Sequence, residues 1–278
     1  MANILSAEKQ EAAIRCLMEG SSLRSTERMI GVHRDTIMRL VERVGAGCEV
    51  LMDETMRNLP CKNVEVDEIW GFVAKKQRHL RRTDDASSKG DMWTYVALDR
   101  DTKLVPSYLV GKRTAENTRA FIKDLSGRLA NRVQLSSDSL IQYLEATEMA
   151  FGKDVDYGQI VKVFEHAEPI GAGRYSPPHV VATEKTVIRG NPDMALISTS
   201  HVERLNLSIR MASRRHTRLT NAFSKKMENL QASMAVFFVH YNFCRRHQTL
   251  RVTPAMQAGL VNDFWSIGDL LKAAAWAA

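Results

Sequence analysis

Apolar residues near the start of the chain recur at helical spacing. Over residues 7–20, Ile14, Leu17 and Met18 fall on one side and Gly20 supplies a stop. A shorter helix is predicted over 23–30, ended by Gly31. A third over 33–44 has Ile37, Leu40, Val41 and Val44 on one face. Helix, helix, glycine turn, helix is the helix-turn-helix pattern, with a plain three-helix bundle without any DNA role as the alternative. After a link at 58–63 the period changes to two. The segments NVEVDEIWGFV, MWTYVALDR and KLVPSYLVG read as consecutive antiparallel strands separated by polar turns at 82–91 and 100–103. A helix over 115–129 turns Phe121, Ile122 and Leu125 inward, and RVQLSSD forms a fourth strand ending at Asp138, followed by the helical SLIQYLEATEMAFG. Residues 171–192, rich in Pro and Gly, read as an irregular insertion. Helical texture returns from 201 to about 246 with a break near His216 and Thr217, and a last helix spans 267–276.

These elements predict an α/β fold: an RNase H-like mixed sheet with flanking helices, preceded by a small all-α helix-turn-helix domain. The expected division is 1–57 for that domain, 58–250 for the sheet domain with its insertion near 165–198, and 251–278 for a C-terminal helical tail.

Composition adds a direction but no identity. The 278 residues hold 44% hydrophobic and 26% charged side chains, an ordinary globular mixture, and carry a formal charge of +7, which favours polyanionic partners. Residues 1–60 hold eight Lys and Arg against nine Asp and Glu, so any DNA contact there needs a local face, for which Arg34, Arg39 and Arg43 are the candidates. The four cysteines, Cys16, Cys48, Cys61 and Cys244, show no disulfide or zinc spacing. With no apolar run approaching about 20 residues, and an N-terminus unlike a signal peptide, the expected location is cytoplasmic and nucleoid-associated in a bacterium, with no membrane contact.

The candidate chemistry rests on carboxylates. On the first strand Val64 and Val66 point one way and Glu65 and Asp67 the other. Asp138 ends the fourth strand, which the expected topology places beside the first. Two convergent carboxylates suit Mg²⁺, and paired ions can activate a nucleophile while stabilising a leaving oxygen. Either aspartate alone has a plain alternative: Asp138 can cap the following helix and Asp67 can face water. Glu203 is the candidate third acid. It precedes residues 204–226, which hold seven cations and no acid: Arg204, Arg210, Arg214, Arg215, Arg218, Lys225 and Lys226. Asn206 and Arg210 share the helical face of Glu203, and His201 stands two residues before it.

The segments VEVDEIWGFVAKK, WTYVALDRDTK, GKRTAENTRAF, ISTSHVERLNLSIRMASRRHTRLTNAFSKKMEN and HYNFCRRHQTLRVTPA resemble transposases of the IS-one type in five ordered blocks over about residues 60–256. The resemblance implies an Asp-Asp-Glu transposase with Asp67, Asp138 and Glu203 as catalytic and metal-binding residues and Arg210 as the following cation. It implies two Mg²⁺ ions, with Mn²⁺ as substitute, double-stranded DNA at element ends and target as partner, and a homodimer or higher oligomer on DNA. Cleavage at terminal inverted repeats and strand transfer by a 3′-OH would be the reaction. Ser139 stands where the family usually has glycine, and His201 where tyrosine is expected. Other readings are a catalytically silent transposase-derived DNA-binding protein, a junction resolvase and a two-carboxylate glycosidase; the basic surroundings of the acids disfavour the last. Trp70 and Trp93 read as core, and His240 and His247 as packing or phosphate contacts.

Overall fold

A computed structural model describes residues 5–165 and 179–277. The N-terminal helices are α1 (Ala7–Met18), α2 (Leu23–Ile30) and α3 (Arg34–Thr55). Serines cap the first two: Ser6 Oγ accepts from the Lys9 amide and Ser22 Oγ from that of Ser25. Gly31, at φ 65°, ends α2 in the left-handed conformation. The third helix runs well past Val44, where it was expected to stop. Gly45 and Gly47 do not break it, because they are where other helices touch its backbone. A Cβ on Gly45 would lie 2.6 Å from Ala232 Cα, and one on Gly47 1.9 Å from the Ala274 carbonyl oxygen. Tight helix contacts there offset the low helix propensity of glycine.

The sheet strands are β1 (Asn63–Val73), β2 (Gly90–Asp99), β3 (Tyr108–Gly111), β4 (Val133–Ser137), β5 (Val155–Glu165) and β6 (His179–Arg189), in the order β3-β2-β1-β4-β5-β6. The first three form the expected antiparallel meander, β4 lies parallel to both β1 and β5, and β6 pairs antiparallel with β5. The expected irregular insertion near 165–198 needs correcting: its residues 179–189 are strand β6, laddered along β5, and only residues 166–178 of the stretch fall outside the described residues. Its prolines and glycine flank the strand, whose own sequence HVVATEKTVIR is rich in β-branched residues.

Helices α4 (Ala115–Ser126) and α5 (Gln142–Phe151) lie between β3, β4 and β5 in sequence; α6 (Ser200–Ala212) packs on β1 and β2. The break expected near His216 and Thr217 is present and longer than expected: after α6 come one 3₁₀ turn, Arg214–His216, and irregular chain before α7 (Met227–Val239). The short α8 (Pro254–Gln257) and α9 (Ile267–Ala277) complete the chain. Helix α7 is apolar nearly all round, as a fully buried helix should be, and packs on α3, which also carries α9. One hydrophobic core therefore runs from Ala13 through the sheet to Ala274, crossing residues 57 and 251 without a gap. Buried Arg128 closes the junction by donating to the carbonyl oxygens of Met52 and Met56 at the end of α3, and to Asp53 and Asp124.

A candidate carboxylate site at the free edge of β1

Strand β1 pairs with β4 only through Asn63–Val66. From Asp67 onward no strand among the described residues pairs with its β4-facing side, and α6 with the chain that follows packs against β1. Glu65 is the joint. Its buried carboxylate accepts the backbone N–H groups of His201 (2.8 Å) and Val202 (3.0 Å) in the first turn of α6 and pairs with His201 Nδ1 at 2.9 Å. Negative charge at a helix N-terminus is favourable, and here it satisfies amides that α6 leaves open.

So anchored, α6 lays Glu203, Asn206 and Arg210 along β1. Asn206 Nδ2 donates to Asp67 at 2.8 Å, while its buried Oδ1 has no partner. Arg210 donates to the carbonyl oxygens of His216 (3.3 Å) and Trp70 (3.5 Å). Asp67, Glu68 and Asp138 each place a carboxylate oxygen within 4.8 Å of the others. Asp138 also accepts the Leu140 amide at 3.0 Å in the turn before α5, but it does not cap that helix, whose N-cap is Ile141. Glu68 is buried, pairs with Arg113 at 2.5 Å and accepts from the Tyr143 hydroxyl at 3.0 Å. Burial, followed by the charges of Glu68, Asp138 and Glu203, pushes the Asp67 carboxyl up to about 7. Burial and Asp138 also raise Glu68, opposed by Arg113 and Tyr143.

The site therefore joins Asp67 to Asp138, as expected, and adds Glu68, which was not among the candidate residues and which alternation along β1 places opposite Asp67. Glu203 stands outside this trio. Its carboxylate pairs with Lys162 of β5 and accepts from the Thr199 hydroxyl at 2.5 Å. His201 turns toward Glu65, and Ser139 is exposed beside Asp138.

The cations divide. Arg204, Arg214, Arg218, Lys225 and Lys226 are exposed, whereas Arg215 is half-buried, donates to Ser224 Oγ at 2.7 Å and is lowered to about 10 by burial. On α3 the expected common face of Arg34, Arg39 and Arg43 needs correcting. All three are exposed, but at about 100° per residue Arg34 lies roughly 140° or more around the helix from the other two. Arg43 also reaches back to Gln10 Oε1 at 2.9 Å. Trp93 packs against the core as expected, but Trp70 does not belong to it.

No family model matches this chain, and no curated protein matches it. Among solved structures, the Mos1 transposase paired-end complex with left transposon end is 14% identical, with a TM-score of 0.24 over 56% of this chain and 60% of that one. The Mos1 strand transfer complex is 16% identical, with a TM-score of 0.24 over 56% and 59%. The matched segments span less than two thirds of either solved chain, and superposition at that level is too weak to fix a fold.

Proposed function

We propose that the protein is an Asp-Asp-Glu DNA transposase with an RNase H-like catalytic sheet. The observation that carries this reading is the junction of Asp67 and Asp138, each one residue past the last pair of the parallel strands β1 and β4, with too few donors around them to balance their charge. The five sequence blocks and the strand order β3-β2-β1-β4-β5 support it. The donor set fits a hard divalent cation: all its ligands are carboxylate oxygens, and the unpartnered Asn206 Oδ1 beside Asp67 suits a cation-bound water. Asp67 and Asp138 would hold Mg²⁺ or Mn²⁺ together with Glu203, for which the cation has to compete with Lys162. When bound, such ions stabilise charge on the attacking and leaving oxygens of phosphodiester transfer.

The chain's own residues orient the reactants. Asn206 fixes one Asp67 oxygen, Glu65 sets the height of α6, and the exposed cations after α6 neutralise phosphates. In the proposed reaction, water displaces a 3′-oxygen from phosphorus at an element end, and that 3′-OH then attacks a target phosphodiester, forming one P–O bond as another breaks. Helices α1–α3 would read the inverted repeats in double-stranded DNA, with a homodimer or larger oligomer bridging two ends.

End-labelled duplex incubated with full-length protein and Mg²⁺ tests the reading. Asp138→Asn is expected to retain DNA binding and lose cleavage by about a thousandfold or more, the equivalent of several kcal/mol of charge stabilisation. Undiminished cleavage by that variant would remove Asp138 from the site. Binding without any cleavage by the wild type would favour the catalytically silent reading.

A further inference from the structure

A groove continues the free edge of β1 beyond the carboxylates. Its floor holds three half-buried aromatic rings that are not part of the hydrophobic core. Trp70 and Phe72 lie with centroids 5.8 Å apart, and Phe72 and Phe223 4.5 Å apart. The Lys225 ammonium sits 3.3 Å from the Phe223 ring centroid. The space measures about 530 Å³, and cations including Lys76 and Arg218 line it with no carboxylate among the described residues. One wall is the chain from Thr217 to Ser224. Thr217 Oγ1 donates to the Arg210 carbonyl oxygen at 3.0 Å, Arg215 to Ser224 Oγ, and the Ala74 amide to the Ser224 carbonyl oxygen at 2.8 Å. At the tip of this braced segment Leu219 is 90% exposed and adopts φ 59°. A leucine there loses contact with the core and takes a backbone conformation that L side chains rarely adopt.

From this arrangement we infer that the groove seats an unpaired base of a DNA strand, with Leu219 as the apolar wedge at its mouth. Aromatic faces gain stacking energy only from a base that has left the duplex, since paired bases hide their faces within the stack. The charged side chains lining the groove are all cations, which fits the accompanying phosphates and disfavours a basic or purely apolar protein segment. Inserted leucines unstack base steps elsewhere by the same physics. Because Trp70 is three residues from Asp67 on β1, a base in the groove keeps its strand beside the carboxylates. The inference deepens the transposase reading and rests on it for the choice of DNA.

The test uses binding without metal, so it does not depend on cleavage. Full-length protein in EDTA is titrated, by fluorescence anisotropy, with a short oligothymidylate, an oligouridylate of equal length and a blunt DNA duplex at one salt concentration. Phe223→Ala is expected to weaken oligothymidylate binding about tenfold to a hundredfold, from the loss of one stacking partner, and to change duplex binding by less than about twofold. Phe223→Tyr should restore it. Leu219→Gly has no packing to lose and suits the backbone. It should reduce the rise in 2-aminopurine fluorescence at the end of a duplex, the signature of an unstacked base. Equal losses for duplex and single strand, no loss for either, or tighter oligouridylate binding would overturn the groove's assignment while leaving the transposase reading standing. Failure of the wild type to bind any of the three probes would overturn both.

Discussion

The two halves of β1 present carboxylates of similar chemistry in opposite circumstances. Asn63–Val66 is flanked by β2 and β4, and its acid, Glu65, receives two backbone N–H groups and an imidazole. From Asp67 the strand is flanked by β2 alone, and Asp67 receives one amide while facing Glu68, Asp138 and Glu203. An acid surrounded by donors is a fastener: Glu65 holds α6 against the sheet. An acid surrounded by acids is costly unless a cation arrives, and that cost is why we propose Asp67 as a functional residue. The two are linked, because the fastener determines where Asn206 and Glu203 stand.

The largest effect on stability should come from the first half. Glu65→Ala leaves two amides and His201 without their acceptor and is expected to cost about 2–4 kcal/mol in urea unfolding, with Glu65→Gln losing less. A cost below about 1 kcal/mol would break the contrast. Beneath the second half, His216 is buried between Thr94 and Ser213; burial, then the Arg210 and Arg215 charges, lowers it to about 3. Its unfolded value is near 6.5, so the folded protein binds fewer protons between these limits, and this contribution is lost as pH falls. The loss should reach about 2 kcal/mol by pH 5. The raised Asp67 works with opposite sign, its contribution being largest in acid and lost as pH rises toward 7. Comparing wild type with His216→Gln at each pH isolates the histidine, and parallel pH dependences would show that His216 titrates normally. Smallest is the effect of Arg210. Because its guanidinium holds two backbone carbonyls at the free edge, Arg210→Ala should cost about 1 kcal/mol. Exposed Arg218→Ala should cost no stability and flatten the log affinity against log salt by about 0.9. Indistinguishable variants would make Arg210 one more surface cation.

The legible parts of the fold were those with an unbroken period. β1 has the bounds expected from its alternation, whereas β3 begins only at Tyr108 because Pro106 has no N–H for the ladder. β5 and β6 escaped notice because register shifts at Tyr157/Gly158 and Val163/Phe164 change the phase of their pattern, and because Val163, Val181 and Val187 face outward. The length of α3 beyond Val44 was not legible, since sequence does not reveal the residues packed against Gly45 and Gly47. At the site, the meeting of Asp67 and Asp138 followed from strand adjacency. Glu68 did not, because alternation places it opposite Asp67; where β4 has ended, carboxylates from both faces can approach Asp138 around the open edge. Glu65 looked like a companion to Asp67, and only its contacts with α6 separate the two roles.

In the function we propose, Asp67 and Asp138 form a cation site while Glu65, on the same strand, does not. Calorimetric titration of Mn²⁺ into metal-free protein at about pH 8, where Asp67 is ionised, tests it directly. Saturable binding is expected for the wild type and for Glu65→Gln, weakened about tenfold or more in Asp67→Asn and in Asp138→Asn. Wild-type affinity in Asp67→Asn would remove Asp67 from the cation site, and an equal loss in Glu65→Gln would erase the difference between the two halves of β1.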